Sequence, residues 1–159
     1  MTKLEHAANI AVVVACIVAV AHTVLNSIPK APPQSYKAGE KITDSPGLGL
    51  RNAKRTLILF ESSTCHFCNE SLGFYSRLTN VAHENGTRIV ALTYEDTGAN
   101  QSFLETHGVT IDTVLALRDN KLNVFATPTL ILVGNDGRVV SSWVGKLTPE
   151  KESEVIGKL

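Results

Sequence analysis

Cysteine is scarce in this chain of 159 residues, with three in all: Cys16, Cys65 and Cys68. That number is too small for a fold stapled by several disulfides. It also argues against a structural zinc site, which takes four ligands and so needs a second Cys or His pair at matching spacing. Cys16 lies in an apolar N-terminal segment, and His83 and His107 stand singly. An excess of charge is missing as well. Fifteen Lys and Arg balance fifteen Asp and Glu, so nothing marks a nucleic-acid partner or an acidic substrate. There is no internal repeat and no long low-complexity tract. The length fits one domain of ordinary size with a short appendage.

Charge is absent altogether from residues 7–28, and residues 10–20 are almost wholly aliphatic. As a helix, about 22 residues at ~1.5 Å each reach roughly 33 Å, enough to cross the hydrocarbon core of a bilayer. Residues 1–28 therefore read first as a membrane anchor, since no polar face suits the run to a protein core. A cleavable signal peptide is the rival, with Lys3 in a short n-region and an A-x-A site at Ala19-Val20-Ala21. Val13-Val14-Ala15-Cys16 also resembles a lipobox, although apolar sequence continues beyond it. Lys3 precedes the run while Lys30, Lys37 and Lys41 follow it, a count that by itself does not favour export. The thiol chemistry described next does, because disulfide clients abound outside the cytoplasm. The expectation is an extracytoplasmic domain, periplasmic or at the cell surface, tethered through residues 7–28, with a cleaved and secreted form as the alternative.

What is present beyond the anchor begins with Pro29-Lys30-Ala31-Pro32-Pro33, an extended spacer that cannot continue a helix. Residues 29–50 form a linker and lead-in; the part from Tyr36 to Leu50, with Gly39, Pro46, Gly47 and Gly49, reads as irregular or as a short hairpin. A domain at 51–159 follows. Residues 55–62 read as a buried strand, 65–81 as a helix ended by the Asn85-Gly86 turn, and 87–93 as a second strand. A short helix at 99–106 stops at Gly108, and the β-branched stretch 111–117 is a further strand candidate. Two strands, 129–133 and 138–144, flank Gly134-Asn135-Asp136-Gly137, a hairpin signal. Thr148 as N-cap and Pro149 at the first helical position open a last helix.

Cys65-His66-Phe67-Cys68 sits between the first strand and the first helix of that domain. At a helix N-terminus the free N–H groups and the positive end of the macrodipole favour a thiolate at the first cysteine. An ordinary thiol with a pKa near ~8.5 is only about 3 per cent ionised at pH 7, whereas one lowered to about 7 is roughly half ionised. The thiolate is the form that attacks disulfides.

With this pair at the first strand-to-helix junction and Ala126-Thr127-Pro128-Thr129 entering the late hairpin, the chain resembles the thioredoxin superfamily over roughly residues 36–159. The closer likeness is to its membrane-anchored, TlpA-like branch, carried by Pro128-Thr129-Leu130-Ile131-Leu132-Val133 followed by Asn135-Asp136-Gly137-Arg138-Val139-Val140. The resemblance implies an α/β thioredoxin-like fold, a central mixed sheet flanked by helices, here with an N-terminal transmembrane helix. It implies that Pro128 is cis and packs beside the dithiol. It implies a thiol-disulfide oxidoreductase with no cofactor besides a redox-active Cys65–Cys68 disulfide, Cys65 as nucleophile and Cys68 as resolving thiol. Thr127 and Pro128 then offer backbone contacts to an extended client segment. Phe67 either touches the client or covers the cysteines. His66, when protonated, favours the nearby thiolate, although the same helix end disfavours imidazolium. Partners are client proteins with thiols or disulfides and a membrane or extracytoplasmic electron donor or acceptor.

Three departures from the family stand out. Thr64 replaces a tryptophan, Leu59 stands where thioredoxins place a buried acid, and Ser71 stands where some TlpA-like reductases carry a glutamate. Glu61 and Glu70 are near in sequence and are candidates to substitute for the missing proton acceptor, but each reads first as a solvated surface carboxylate. An alternative from another class is a copper-binding chaperone on the same fold, using the soft thiolates of Cys65 and Cys68 with His66 or a distant histidine. A peroxiredoxin loop wants Pro-x-x-x-Thr/Ser-x-x-Cys; Ser62 satisfies one element, but Ile58 stands where the proline should.

Overall fold

A computed structural model describes residues 3–27, 36–45, 47–120 and 122–159; the spacer at 29–33 and Pro46 lie outside the described residues. The chain divides into two units, Met1–Pro32 and Pro33–Leu159. In the first, the described residues form one helix, α1 (Lys3–Ser27). Its described apolar side chains, among them Ile10, Val13, Val14, Ile17 and Val18, are all exposed. Among the described residues no helix is long and apolar enough to cross a membrane. The transmembrane span expected from the sequence is thus a proposal.

The second unit is built on a sheet of five strands, β1 (Arg55–Phe60), β2 (Thr87–Thr93), β3 (Thr113–Ala116), β4 (Thr129–Gly134) and β5 (Val139–Val144), in the order β3-β2-β1-β4-β5. The sheet is mixed: β1, β2 and β3 run parallel, while β4 is antiparallel to both β1 and β5. Helices α2 (His66–Glu70) and α3 (Leu72–Glu84) connect β1 to β2, α4 (Thr97–Thr106) connects β2 to β3, and α5 (Pro149–Gly157) closes the chain.

β1 is central and buried on both faces, which is why it reads as an unbroken apolar run. Leu57 and Leu59 point to a core with Phe74, Tyr75 and Leu78 of α3, Leu104 of α4 and Val155 of α5. Ile58 and Phe60 point the other way, to a core with Val90, Leu92, Ile131 and Val133. That second core is closed by the lead-in, through Ile42, Leu48 and Leu50, and by Leu117 and Val124. The lead-in is therefore part of the packed unit. It runs along the start of β5, with Gly39 N–H bonded to Val139 O and Val139 N–H to Glu40 O, each 2.8 Å, and Ile42 N–H bonded to Gly137 O at 2.8 Å.

Element ends differ from the sequence expectation where side chains compete with the backbone. The helix expected over 65–81 is two helices, because the Ser71 hydroxyl donates to the Phe67 carbonyl (2.7 Å) and the chain re-enters the helix with Ser71 as cap. α4 begins at Thr97, two residues early, because the Asp96 carboxylate accepts from the Ala99 N–H at 2.9 Å.

Candidate active site

β1 runs straight into the site. Glu61 extends it by one pairing, its N–H bonded to Leu92 O (3.1 Å), and the chain then turns so that Cys65 N–H bonds Ser62 O at 3.1 Å. Ser62 Oγ donates to Glu95 Oε1 (2.6 Å), Ser63 N–H reaches Glu95 Oε2 (3.3 Å), and Asn69 Nδ2 donates to the carbonyls of Ser63 (2.8 Å) and Cys65 (3.0 Å). The turn that presents the first cysteine is thereby held from both ends.

Cys65 is the N-cap of α2, and its sulfur accepts from the Cys68 N–H at 3.2 Å. On its other side the Cys65 thiol donates to the Thr127 carbonyl at 3.5 Å. The Thr127–Pro128 peptide bond is cis, as the resemblance implied. Pro128 is buried, and its carbonyl accepts from Gly145 N–H at 2.7 Å, which ties it to the end of β5. Cys65, Cys68, Thr127 and Pro128 thus converge at one end of the sheet, with both cysteines free.

The two thiols have opposite electrostatics. Burial pushes the half-buried Cys65 thiol up, but hydrogen bonds from the side chains of Cys68 and Thr127 and from the Cys68 and Phe67 amides outweigh it and hold the thiol below its ordinary value. Because α2 has only five residues, individual N–H groups rather than a long macrodipole carry this effect. Cys68 is 1% exposed. Burial first, then the Cys65 side chain, pushes its thiol far up, with the fields of Cys65 and Glu61 adding to the rise.

Phe67 is 53% exposed, so of its two expected positions it takes the outward one. His66 is also exposed, its Nε2 3.4 Å from Glu70 Oε1, while Glu70 Oε2 accepts from Lys146 at 3.0 Å. The Lys146 hydrogen bond holds the Glu70 carboxyl below its ordinary value. Thr64 is exposed and Leu59 is core.

Glu61 corrects the sequence reading. It is a buried residue with no measurable exposure, and not a solvated surface group. Asn100 Nδ2 of α4 donates to Glu61 Oε1 (2.6 Å) and lies 3.2 Å from Glu95 Oε2. Burial above all, opposed by the Asn100 hydrogen bond and helped by the Glu95 charge, raises the Glu61 carboxyl to about 7. Strand alternation carried the signal, since Glu61 shares the face of Leu57 and Leu59. No local pattern marked Asn100 or Glu95. Among the described residues no group of three or more His, Cys, Asp or Glu is placed to hold a metal ion.

A family described as the thioredoxin-like domain matches residues 50–159. The chain belongs to this family. Solved structures repeat the thioredoxin-like fold. The thioredoxin domain of a thiol-disulfide oxidoreductase from Bacteroides vulgatus superposes with a TM-score of 0.61 at 16% identity, over 77% of this chain and 97% of that one. A secreted disulfide oxidoreductase of Mycobacterium tuberculosis gives 0.52 at 23% identity, over 67% and 82%. StoA of Bacillus subtilis gives 0.51 at 16% identity, over 80% and 98%. No curated protein matches the chain.

Proposed function

We propose that this thioredoxin-like chain is an extracytoplasmic thiol-disulfide oxidoreductase of the TlpA-like kind, exchanging disulfides with client proteins. The observation that supports it best is the asymmetry of the two thiols. Cys65 is half-buried, hydrogen-bonded from the Cys68 amide and adjacent to Thr127, while Cys68 lies sealed behind it. An attacking thiol needs access and a populated thiolate, and a resolving thiol needs to stay protonated until its turn.

In the reducing direction the Cys65 thiolate attacks one sulfur of a client disulfide, forming a mixed disulfide and releasing one client thiolate. Cys68 then attacks Cys65 Sγ, the second client thiolate leaves, and the Cys65–Cys68 disulfide remains. Two electrons pass from dithiol to client. The two cysteines carry both electrons. Thr127 and Pro128 offer the client an extended backbone edge, Phe67 an exposed aromatic contact, and His66 an exposed imidazole next in sequence to Cys65. Insulin-disulfide reduction tests the assignment: the wild type turns over with a chemical reductant, and full turnover by Cys65→Ser would sink it.

Location rests on the uncharged run at 7–28, which supports a membrane tether carrying the domain at 51–159 outside the cytoplasm. The expected partner on that side is a membrane or extracytoplasmic electron donor or acceptor. Expression of the full chain and of a chain lacking residues 1–28, followed by alkaline extraction of membranes, separates the readings. Retention of only the full chain at its full mass supports the anchor, and release of a shortened form supports a cleaved signal.

A further inference from the structure

Resolution leaves one proton unassigned. Cys68 is 1% exposed, so its thiol has no direct route to solvent, yet it must lose its proton before it can attack Cys65. Leu59 provides no acid at the family's usual position, and Ser71 none at the other.

Glu61 is the carboxylate that the fold places there. It directly follows β1, on the face covered by α3 and α4, one residue before Ser62, whose carbonyl accepts from the Cys65 N–H at 3.1 Å. Cys68 of α2 and Tyr75 of α3 are each 1% exposed, and the Glu61 charge adds to the rise of both. One carboxylate oxygen, Oε1, is occupied by Asn100 at 2.6 Å. The other, Oε2, is buried without a hydrogen-bond partner among the described residues. A buried charge without a partner on one oxygen is unfavourable, and a proton on that oxygen removes the charge. The groups facing Glu61 are Cys68 of α2, with Cys65 beyond it, Tyr75 of α3, Asn100 of α4, and Glu95 from the segment before α4. Among them Glu95 alone is a charged carboxylate. Hydrogen bonds from Ser62, Ser63 and Asn100 outweigh its desolvation and hold it below its ordinary value, so it stays anionic.

We propose that Glu61 accepts the Cys68 proton during resolution of the mixed disulfide and returns it when the disulfide reopens, with Asn100 as the positioning residue that aims its carboxylate. This rests on the assignment of Cys65 as nucleophile and Cys68 as resolving thiol. In the forward step the Cys68 S–H bond breaks and its proton passes to the Glu61 carboxylate. The freed electron pair forms the bond to Cys65 Sγ, and the client sulfur leaves as a thiolate. A carboxyl raised to about 7 has both forms available near neutral pH, the condition for a group that takes and gives back a proton.

A symmetric aromatic disulfide whose released thiolate is coloured separates the two steps in a stopped-flow experiment on the reduced protein, with Cys16→Ser in every variant because Cys16 is a free, exposed thiol. The first coloured thiolate reports the attack by Cys65, the second the closure by Cys68. General-base groups contribute ~10²–10⁴-fold, and water can replace one partly, so Glu61→Gln is expected to slow the second release by at least about tenfold while changing the first by less than about twofold. Asn100 favours the charged form of Glu61, so Asn100→Leu should move the midpoint of the second-release pH profile upward. A merely structural Asn100 would leave that midpoint in place. An unchanged second release in Glu61→Gln, or an unmoved midpoint in Asn100→Leu, overturns the proposal. Second release that persists in Cys68→Ser overturns instead the thiol assignment beneath it.

Discussion

The sulfur of Cys65 and the carbonyl oxygen of Thr127 lie 3.5 Å apart, although 62 positions separate them in the chain. The contact joins the strand-to-helix turn that carries the dithiol to the loop entering β4. Both are set at one end of the sheet because β1 and β4 are hydrogen-bonded neighbours, with Phe60 opposite Thr129. A client sulfur approaching Cys65 therefore meets the Thr127 backbone in the same place.

Alkylation should discriminate the two active-site thiols. Cys65 is held below its ordinary value and Cys68 is pushed far above it. Near neutral pH, iodoacetamide should modify Cys65 and spare Cys68, as read by peptide mass mapping in a Cys16→Ser background, since Cys16 is exposed. Equal labelling of both would contradict the asymmetry on which the mechanism depends.

Cys68→Ser should arrest exchange after the first attack. Cys65 then keeps its client bound through a mixed disulfide, and covalent adducts accumulate with insulin chains, visible on non-reducing gels and lost on adding reductant. With Cys16→Ser in both, the Cys65→Ser, Cys68→Ser double variant should form none.

Glu61 also makes folding stability depend on pH. Its folded value, about 7, exceeds the 4.5 of an ordinary carboxyl, so the folded state binds the proton more tightly. This contribution is fully present below about pH 4.5 and is lost as pH rises through about 7, a change on the order of 3 kcal/mol by pH 8. Urea unfolding at pH 5 and pH 8 should show this decrease in the wild type. Glu61→Gln should show a smaller one by about that amount.

Phe67→Ala should leave stability within about 0.5 kcal/mol of wild type, because the ring is mostly exposed. Its effect should fall on the client. We expect a higher KM for insulin with little change in the first thiol attack on a small aromatic disulfide. A large loss of thermal stability would instead place the ring in a structural role.

Gly137→Ala should loosen the lead-in. Gly137 has φ +80°, and a Cβ there would stand 2.8 Å from the carbonyl oxygen of Ile42 in the lead-in. Strain of this kind costs about 1–3 kcal/mol. Denaturant titration should show that loss, with hydrogen exchange rising first at residues 39–42.

Much of the domain is legible in the order of its amino acids. Leu57-Ile58-Leu59-Phe60 is a short apolar run of the kind a central strand buried on both faces carries, and Gly134-Asn135-Asp136-Gly137 between two apolar runs is a strong hairpin signal. Local chemistry also marks Cys65 and Cys68, because their spacing and the strand before them are neighbours in sequence. Strand alternation even holds the clue to Glu61, two residues beyond Leu59 on the same face, but a glutamate's ordinary preference for solvent outweighs it.

Contacts between distant segments cannot be read that way. That Asn100 reaches back 39 positions to Glu61, that Ile42, Leu48 and Leu50 close one core, and that Thr127 faces Cys65 all follow from strand order and helix docking, which no local pattern encodes. A residue's own neighbours determined that this chain carries a dithiol at the mouth of a buried strand. The packing of α3 and α4 over that strand decided which carboxylate is sealed beside it, because desolvation is a property of everything that surrounds a group and not of the group itself.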